Sequence, residues 1–351
     1  MNSVIKSQIN NGLVIPASPL ALSSERKLDE RRQRALWRYY SASGAGGIAI
    51  GVHTTQFAIR NPENGLYKPL LALGKDEMDR LDKIRQNPLV RIAGVCGNTE
   101  MAIEEAEYAK SLGYHCALLN LNAFNNKPEE LKVQHCKVIS EIMPIFGFYL
   151  QASTGGAKLS YNFWKNFAEI ENVAAVKLAP FNRYHTVDAM RAIAESGRED
   201  IAMYTGNDDN IIIDLLTPFS FWVNGKKCER RMVGGLLGHW SAWTSKAVQM
   251  LDKCHEAVKT DCISKELMKL SIEVTDCNAA FFDTENGFNG CIAGMHEVLR
   301  RQGFFDGIYL LNSENTLSPG QKEEIDRVYN AYPHLNDDSF VKENLESWLS
   351  D

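Results

Sequence analysis

This sequence predicts an α/β fold, a (β/α)8 TIM barrel with a C-terminal helical extension. Three observations carry that expectation. Eight short apolar runs alternate with amphipathic helical stretches, a pattern that calls for parallel pairing. Eight such units close most economically into a barrel, whereas a doubly wound open sheet, the alternative, lacks a G-x-G-x-x-G after its first strand. Beyond about Lys259 only helical periodicity remains. Residues 1–259 are therefore expected to form the barrel that carries the active site, and residues 260–351 a helical region packed on it.

The strands fall in order. Leu13 to Ala17 is the first, followed by a helix from Asp29 to Ala42. Gly46 to Gly51 is the second and runs into His53-Thr54-Thr55; a connection rich in Asn, Pro and Gly (Arg60 to Leu73) leads to a helix at Asp76 to Ile84. Val90 to Cys96 is the third, with Thr99 as helix cap. His115 to Leu121 is the fourth, and Pro128 opens the next helix where proline fits. Ile145 to Leu150, Val173 to Leu178, Ile201 to Thr205 and Val233 to Leu237 complete the eight. The aromatic and charged stretch Pro218 to Arg231 takes no place in this scheme. Three helices follow, Ser264 to Cys277, Ile292 to Arg301 and Pro319 to Ala331, with a last one near Trp348.

Composition narrows the function. With 351 residues, 44% of them hydrophobic, the chain can bury a large core. A net charge of -6 gives no basic footprint for nucleic acid. The polar segment Met1 to Asn11 does not resemble a secretory signal, and no apolar run approaches the roughly 20 residues of a membrane span. None of the eight cysteines forms a C-x-x-C pair, which points to reduced thiols in a cytoplasmic protein rather than zinc or disulfides.

Lys177 is the anomaly. It stands in Val173-Ala-Ala-Val-Lys177-Leu-Ala-Pro180, a buried-strand pattern that rarely admits an ammonium. Such a lysine must be paired, snorkel to the rim, or lose its proton, and a neutral amine can attack a carbonyl to form a Schiff base. At the end of the sixth strand it lies where barrel chemistry occurs. Tyr149, near the end of the fifth strand, is expected as its neighbour at roughly 5 Å, a phenol able to relay protons. Thr54 and Thr55, with His53 before them, offer hydroxyls and backbone N–H groups for a carboxylate.

Order and spacing together resemble the dihydrodipicolinate synthase and N-acetylneuraminate lyase family. Its lysine strand is similar to Val173–Ala179, and its tyrosine stands 28 residues earlier in a P-x-x-x-Y-N-x-P stretch followed by T-G. Here that stretch is read as Pro144–Gly155, with 28 residues from Tyr149 to Lys177. The carboxylate signature G-[ST]-T-G-E falls on Val52–Gln56 with Thr54 in register. Ala93-Gly94-Val95, Asn125–Pro128 and Thr205-Gly206-Asn207-Asp208-Asp209 are further likenesses.

The resemblance implies a class I lyase or aldolase acting on a pyruvate-like 2-oxo acid. It would use Lys177 and Tyr149 in catalysis and Thr54, Thr55, His53 and Gly206 in binding, as a homo-oligomer (dimer or tetramer). Arg183, in the stretch Pro180–Tyr184 that replaces the family's small and acidic residues, is read as an anion receptor or a solvated helix start. No metal or organic cofactor is needed, because the lysine iminium is the electron sink. Departures are Thr55-Gln56 for Gly-Glu, Leu150-Gln151-Ala152 after Tyr149, Thr154 for an arginine, and Ala123-Phe124 without a hydroxyl. These argue against a true dihydrodipicolinate synthase. A hydratase or dehydratase of a sugar acid or aromatic 2-oxo acid, and a non-catalytic metabolite-binding barrel, are the alternatives.

Overall fold

Parallel strands follow one another around a barrel in the computed structural model, which describes residues 1–350. The strands are β1 (Val14–Pro16), β2 (Gly47–Ile50), β3 (Val90–Val95), β4 (Cys116–Leu119), β5 (Ile145–Leu150), β6 (Val173–Ala179), β7 (Ala202–Thr205), β8 (Phe219–Val223), β9 (Lys226–Arg230) and β10 (Met232–Leu237). Eight form one sheet in the order β1-β10-β7-β6-β5-β4-β3-β2. An Ala17–Ala49 bridge, with the Ser18 N–H donating to the Ala49 carbonyl at 2.9 Å, joins the two ends of that sheet. The eight runs expected from the sequence are these eight strands.

The pleat sends successive side chains to opposite faces, and both faces are covered, which is why the strands read as continuous apolar runs. Ile15, Ala49, Ile92, Leu118, Phe146 and Tyr204 fill the interior. Ile48, Ala93, Leu119, Ile145, Val176 and Met203 face the surrounding helices. Side-chain caps start those helices: Asp29 accepts from the Arg32 N–H, Asn98 from Met101, Ser160 from Phe163 and Asn182 from His185. Asn98, not Thr99, is thus the cap before Thr99–Ser111.

Three segments differ from expectation. The helix after β2 spans Tyr67–Asp82 and begins nine residues earlier than Asp76; its first turn holds Pro69, a place where the missing N–H has no intrahelical partner to lose. The polar N-terminus forms a helix, Ser3–Asn11, that buries Ile5 and Ile9 against the barrel interior, and the Tyr204 hydroxyl donates to the Ile9 carbonyl at 2.8 Å. The unplaced stretch is an antiparallel hairpin, β8 with β9. Its Asn224-Gly225 turn has φ of 49° and 79°, the positive pair that a tight hairpin requires.

The C-terminal helices Lys265–Phe281, Cys291–Arg301, Gln321–Ala331 and Asp338–Leu349 wrap back on the barrel. Arg38 donates to the Trp348 carbonyl at 2.8 Å, and Tyr39 packs against Phe304 and Trp348 with centroids 4.8 and 5.5 Å away. No helix among the described residues is long and apolar enough to cross a membrane.

Candidate active site

Lys177 owes its direction to an irregularity in β6. Ile145 pairs with Val173, but Phe146 pairs with Ala175, so Ala174 is an extra residue in the ladder. Ala174 and Ala175 both face the interior, as at a bulge. From there alternation resumes: Val176 and Leu178 face the helices, and Lys177 points inward.

The bulge decides which β5 residue meets the lysine. An unbroken ladder from Ile145–Val173 would set Tyr149 opposite Lys177. The extra residue moves Phe148 there instead. Phe148 faces the interior and its ring centroid lies 4.5 Å from Nζ. Tyr149 therefore sits on the outer face of β5, a correction to the neighbour relation expected from sequence. Its hydroxyl accepts from the Leu159 N–H at 3.3 Å, and its ring stacks 5.8 Å from His185. Burial raises its pKa.

Gly206 makes room for the lysine. A Cβ there would stand 2.5 Å from Lys177 Cε and 2.9 Å from Ala179 Cβ, so only a bare backbone can pass. Burial lowers the Lys177 pKa, opposed by the Asp208 carboxylate. Burial raises that of Asp208 in turn, opposed by the lysine. Asp208 Oδ1 is buried with no hydrogen-bond partner. Its loop is pinned from the C-terminal region: Asn278 donates to the Asp208 carbonyl at 2.7 Å and Thr275 to that of Asp209 at 3.1 Å.

His53 opens the turn after β2 and lines the same cavity. Burial and then the lysine's charge depress its pKa to about 4, so the imidazole is neutral. The two threonines are less available than expected. Thr54 Oγ1 donates to the Ala17 carbonyl at 2.6 Å, and Thr55 Oγ1 to Ser18 at 2.7 Å while accepting from the Gly51 and Val52 N–H groups. Their hydroxyl protons are spent on fixing the turn. Thr54 still lines the cavity. Thr55, at 1% exposure, is buried beneath the turn. Arg183 lies outside the cavity lining and pairs with buried Asp214, which also accepts from Thr205 and Asn207 at 2.8 Å each.

Lys177, Asp208, His53 and Thr54 are thus brought together in one cavity of about 60 Å³. At roughly 10–15 Å³ per water-sized occupant, that is room for a molecule of a few heavy atoms. Phe148, Leu150, Phe181, Phe282 and Phe288 make its walls apolar. Phe181 and Phe288 meet edge to face at 5.8 Å, both at positive φ (49° and 71°), a conformation that bulky residues adopt only under constraint. Phe282, Phe288 and Cys291 come from beyond residue 259, so the barrel segment does not enclose the cavity alone. Among the described residues, no group of three or more His, Cys, Asp or Glu is arranged to hold a metal ion.

Sequence reasoning passed over Phe148 and did not place Asp208 in the cavity. One signal was available: the fourth place after Pro144 is Phe148, while Tyr149 is the fifth.

A sequence model described as the dihydrodipicolinate synthetase family matches residues 14–217. The 4-hydroxy-tetrahydrodipicolinate synthase of Bifidobacterium longum is 24% identical over 208 residues, 59% of this chain and 63% of that protein. The chain thus spans less than two thirds of that relative's length. The synthase of Acaryochloris marina is 32% identical over 129 residues, 36% of this chain and 42% of that protein. Among solved structures, dihydrodipicolinate synthase from Oceanobacillus iheyensis superposes with a TM-score of 0.73 at 16% identity, covering 95% of this chain and all of that one. N-acetylneuraminate lyase from Fusobacterium nucleatum, complexed with pyruvate, gives 0.69 at 16% identity over 92% and 98%.

Proposed function

This chain belongs to the dihydrodipicolinate synthetase family, and on that premise we propose that it is a Schiff-base lyase or aldolase acting on a pyruvate-like 2-oxo acid. One observation carries the reading: the buried amine of Lys177 faces a small cavity in which its charged form is disfavoured. A neutral amine attacks the C2 carbonyl, and the resulting iminium draws electrons from C3, so a bond to C3 can be made or broken. The pyruvate held by the Fusobacterium lyase is of the same ligand class.

The turn at His53–Thr55 supplies the carboxylate receptor. Its first N–H groups stand where a helical turn has no internal partner for them, and the two threonine hydroxyls hold that backbone in place. Gly206 lets the lysine reach the cavity.

A second reading concerns the other half of the substrate. Leu150, Phe181, Phe282 and Phe288 offer apolar surface, with Gln151 and Thr154 the further polar side chains of the lining. The apolar side chains favour a compact apolar substituent on the 2-oxo acid over a polyhydroxy chain, whether the bond broken is C–C or C–O.

Borohydride treatment with pyruvate, followed by mass spectrometry of the Lys177 peptide, tests the mechanism. A reduced pyruvyl adduct on Lys177, absent from Lys177→Ala, is expected. An unmodified lysine under conditions that trap a control aldolase overturns it. Screening 2-oxo acids for pyruvate release against loss of water separates the two kinds of bond.

A further inference from the structure

Schiff-base formation moves protons as well as electrons, so some group in the cavity must give and take them. We propose that Asp208, and not a tyrosine, is the proton shuttle for imine formation at Lys177. The inference rests on the lyase reading above and names the residue that reading requires.

Geometry and burial together eliminate the other groups. Tyr149 lies on the far face of β5, and Phe148, which faces the lysine, has no proton to move. The Thr54 hydroxyl proton is committed to the Ala17 carbonyl and that of Thr154 to the Gln151 carbonyl. Cys291 lines the cavity from the start of its helix, but burial and the nearby Asp208 charge hold it firmly as a thiol. His53 binds a proton only near pH 4. Asp208 remains: it shares the cavity with the amine and keeps one buried oxygen without a partner. That oxygen is engaged by no other group and shares the cavity with the amine, so it is free to take and give a proton there. Its surroundings suit that traffic. Lys177 from β6 favours the carboxylate, neighbouring Asp209 favours the acid, and the His239 backbone N–H points at it. His53 faces the lysine from the turn after β2.

The step balances with one proton on Asp208 and a neutral amine. Nζ attacks C2, the C–N bond forms, and the carbonyl oxygen receives the Asp208 proton as its π electrons move outward. The carboxylate then takes a proton from the positively charged nitrogen. It returns that proton to the hydroxyl as the C–O bond breaks, and water leaves while the nitrogen lone pair closes the iminium. Asp208 ends as a carboxylate beside the cation.

Timed borohydride trapping with saturating pyruvate, followed across pH, tests this on the full chain. Asp208→Asn should slow trapping at least about 100-fold without changing the pyruvate concentration needed for saturation, and Asp208→Glu should restore a tenth or more of the rate. Wild-type trapping should rise and then fall with pH. In Asp208→Asn the falling limb should vanish and the rising limb move to lower pH, because the charge that helps the lysine keep its proton is gone. If wild type is never trapped, the proposed function fails. If wild type is trapped and Asp208→Asn matches it in rate and pH profile, the shuttle alone is overturned. A slow Asp208→Asn with an unchanged profile and no rescue by glutamate also overturns it. Should the asparagine variant not fold, an unshifted pH profile in Asp208→Glu does the same.

Discussion

Lys177 and Phe148 are direct partners across β5 and β6, and the amine lies 4.5 Å from the ring centroid. The family-like strand thus delivers its lysine to an aromatic face instead of a phenol. The ring excludes water, which disfavours the ammonium, while its π electrons favour it. Desolvation outweighs the opposing Asp208 charge.

Replacing Phe148 by leucine keeps the site apolar and removes the π attraction. The ammonium loses roughly 2 kcal/mol of support at this desolvated site, so the pH at which half the amine is free should fall by about 1.5. The pH dependence of trapping in Phe148→Leu measures it, and a rise in that half-point would refute the cation–π account.

Tyr149→Phe should trap pyruvate within about threefold of wild type. Its hydroxyl serves the Leu159 N–H on the helical side, so the loss should appear as about 0.5–1.5 kcal/mol of stability. Urea unfolding together with trapping checks both, and a 30-fold slower reaction would return the tyrosine to the site.

Gly206→Ala introduces a methyl group 2.5 Å from Lys177 Cε. The lysine stem must swing away from the cavity, and trapping should fall at least about 100-fold, since small misplacements cost that much. Circular dichroism should show the barrel intact. Normal trapping would mean that the lysine has another way in.

Arg183→Ala should act on stability. Buried Asp214 loses its charged partner but keeps Thr205 and Asn207. With Arg183 partly exposed, about 1–3 kcal/mol is expected at pH 8. Burial already raises the Asp214 pKa, so the deficit should shrink towards pH 5 as that carboxyl protonates. A pH-independent deficit would contradict this, and no deficit with weaker pyruvate saturation would restore Arg183 as an anion receptor.

His296 sets an acid limit. Both of its ring nitrogens are buried without a partner, and burial depresses its pKa from 6.5 to about 3. Below pH 6.5 the unfolded chain takes up a proton that the folded one refuses, so stability falls as pH falls, by up to about 1.4 kcal/mol per unit for each such histidine. His53 and His239, both near 4, add to the slope. Unfolding of His296→Leu from pH 7 to 4.5 should show a shallower loss, and an equal slope would sink the assignment.

The barrel was legible because its order is written in alternation and apolar runs, and each of the eight runs became a strand. The lysine was legible for the opposite reason, as a residue that breaks its run. Its partner was not. A separation of 28 residues identifies a neighbour only if the ladder is unbroken, and the extra Ala174 shifts the pairing by one and exchanges faces. Nothing in Val-Ala-Ala-Val marks a bulge. The threonines were read correctly as belonging to a turn, but which carbonyl a hydroxyl serves depends on β1, a segment some 37 residues earlier. The amino-terminal helix escaped notice because its two buried isoleucines are too few to show a period.

The cavity is closed by residues made after the barrel. Phe282, Phe288 and Cys291 seal it, and Thr275 and Asn278 fix the loop that carries Asp208. A chain emerging from the ribosome amino end first has all eight strands in hand while these walls are still missing. Without those walls water would reach Lys177 and stabilise its ammonium, leaving the amine inert. On the proposed mechanism its nucleophilicity arrives with the helices that follow the barrel, so a polypeptide still lacking them carries the lysine without the hazard of a reactive amine.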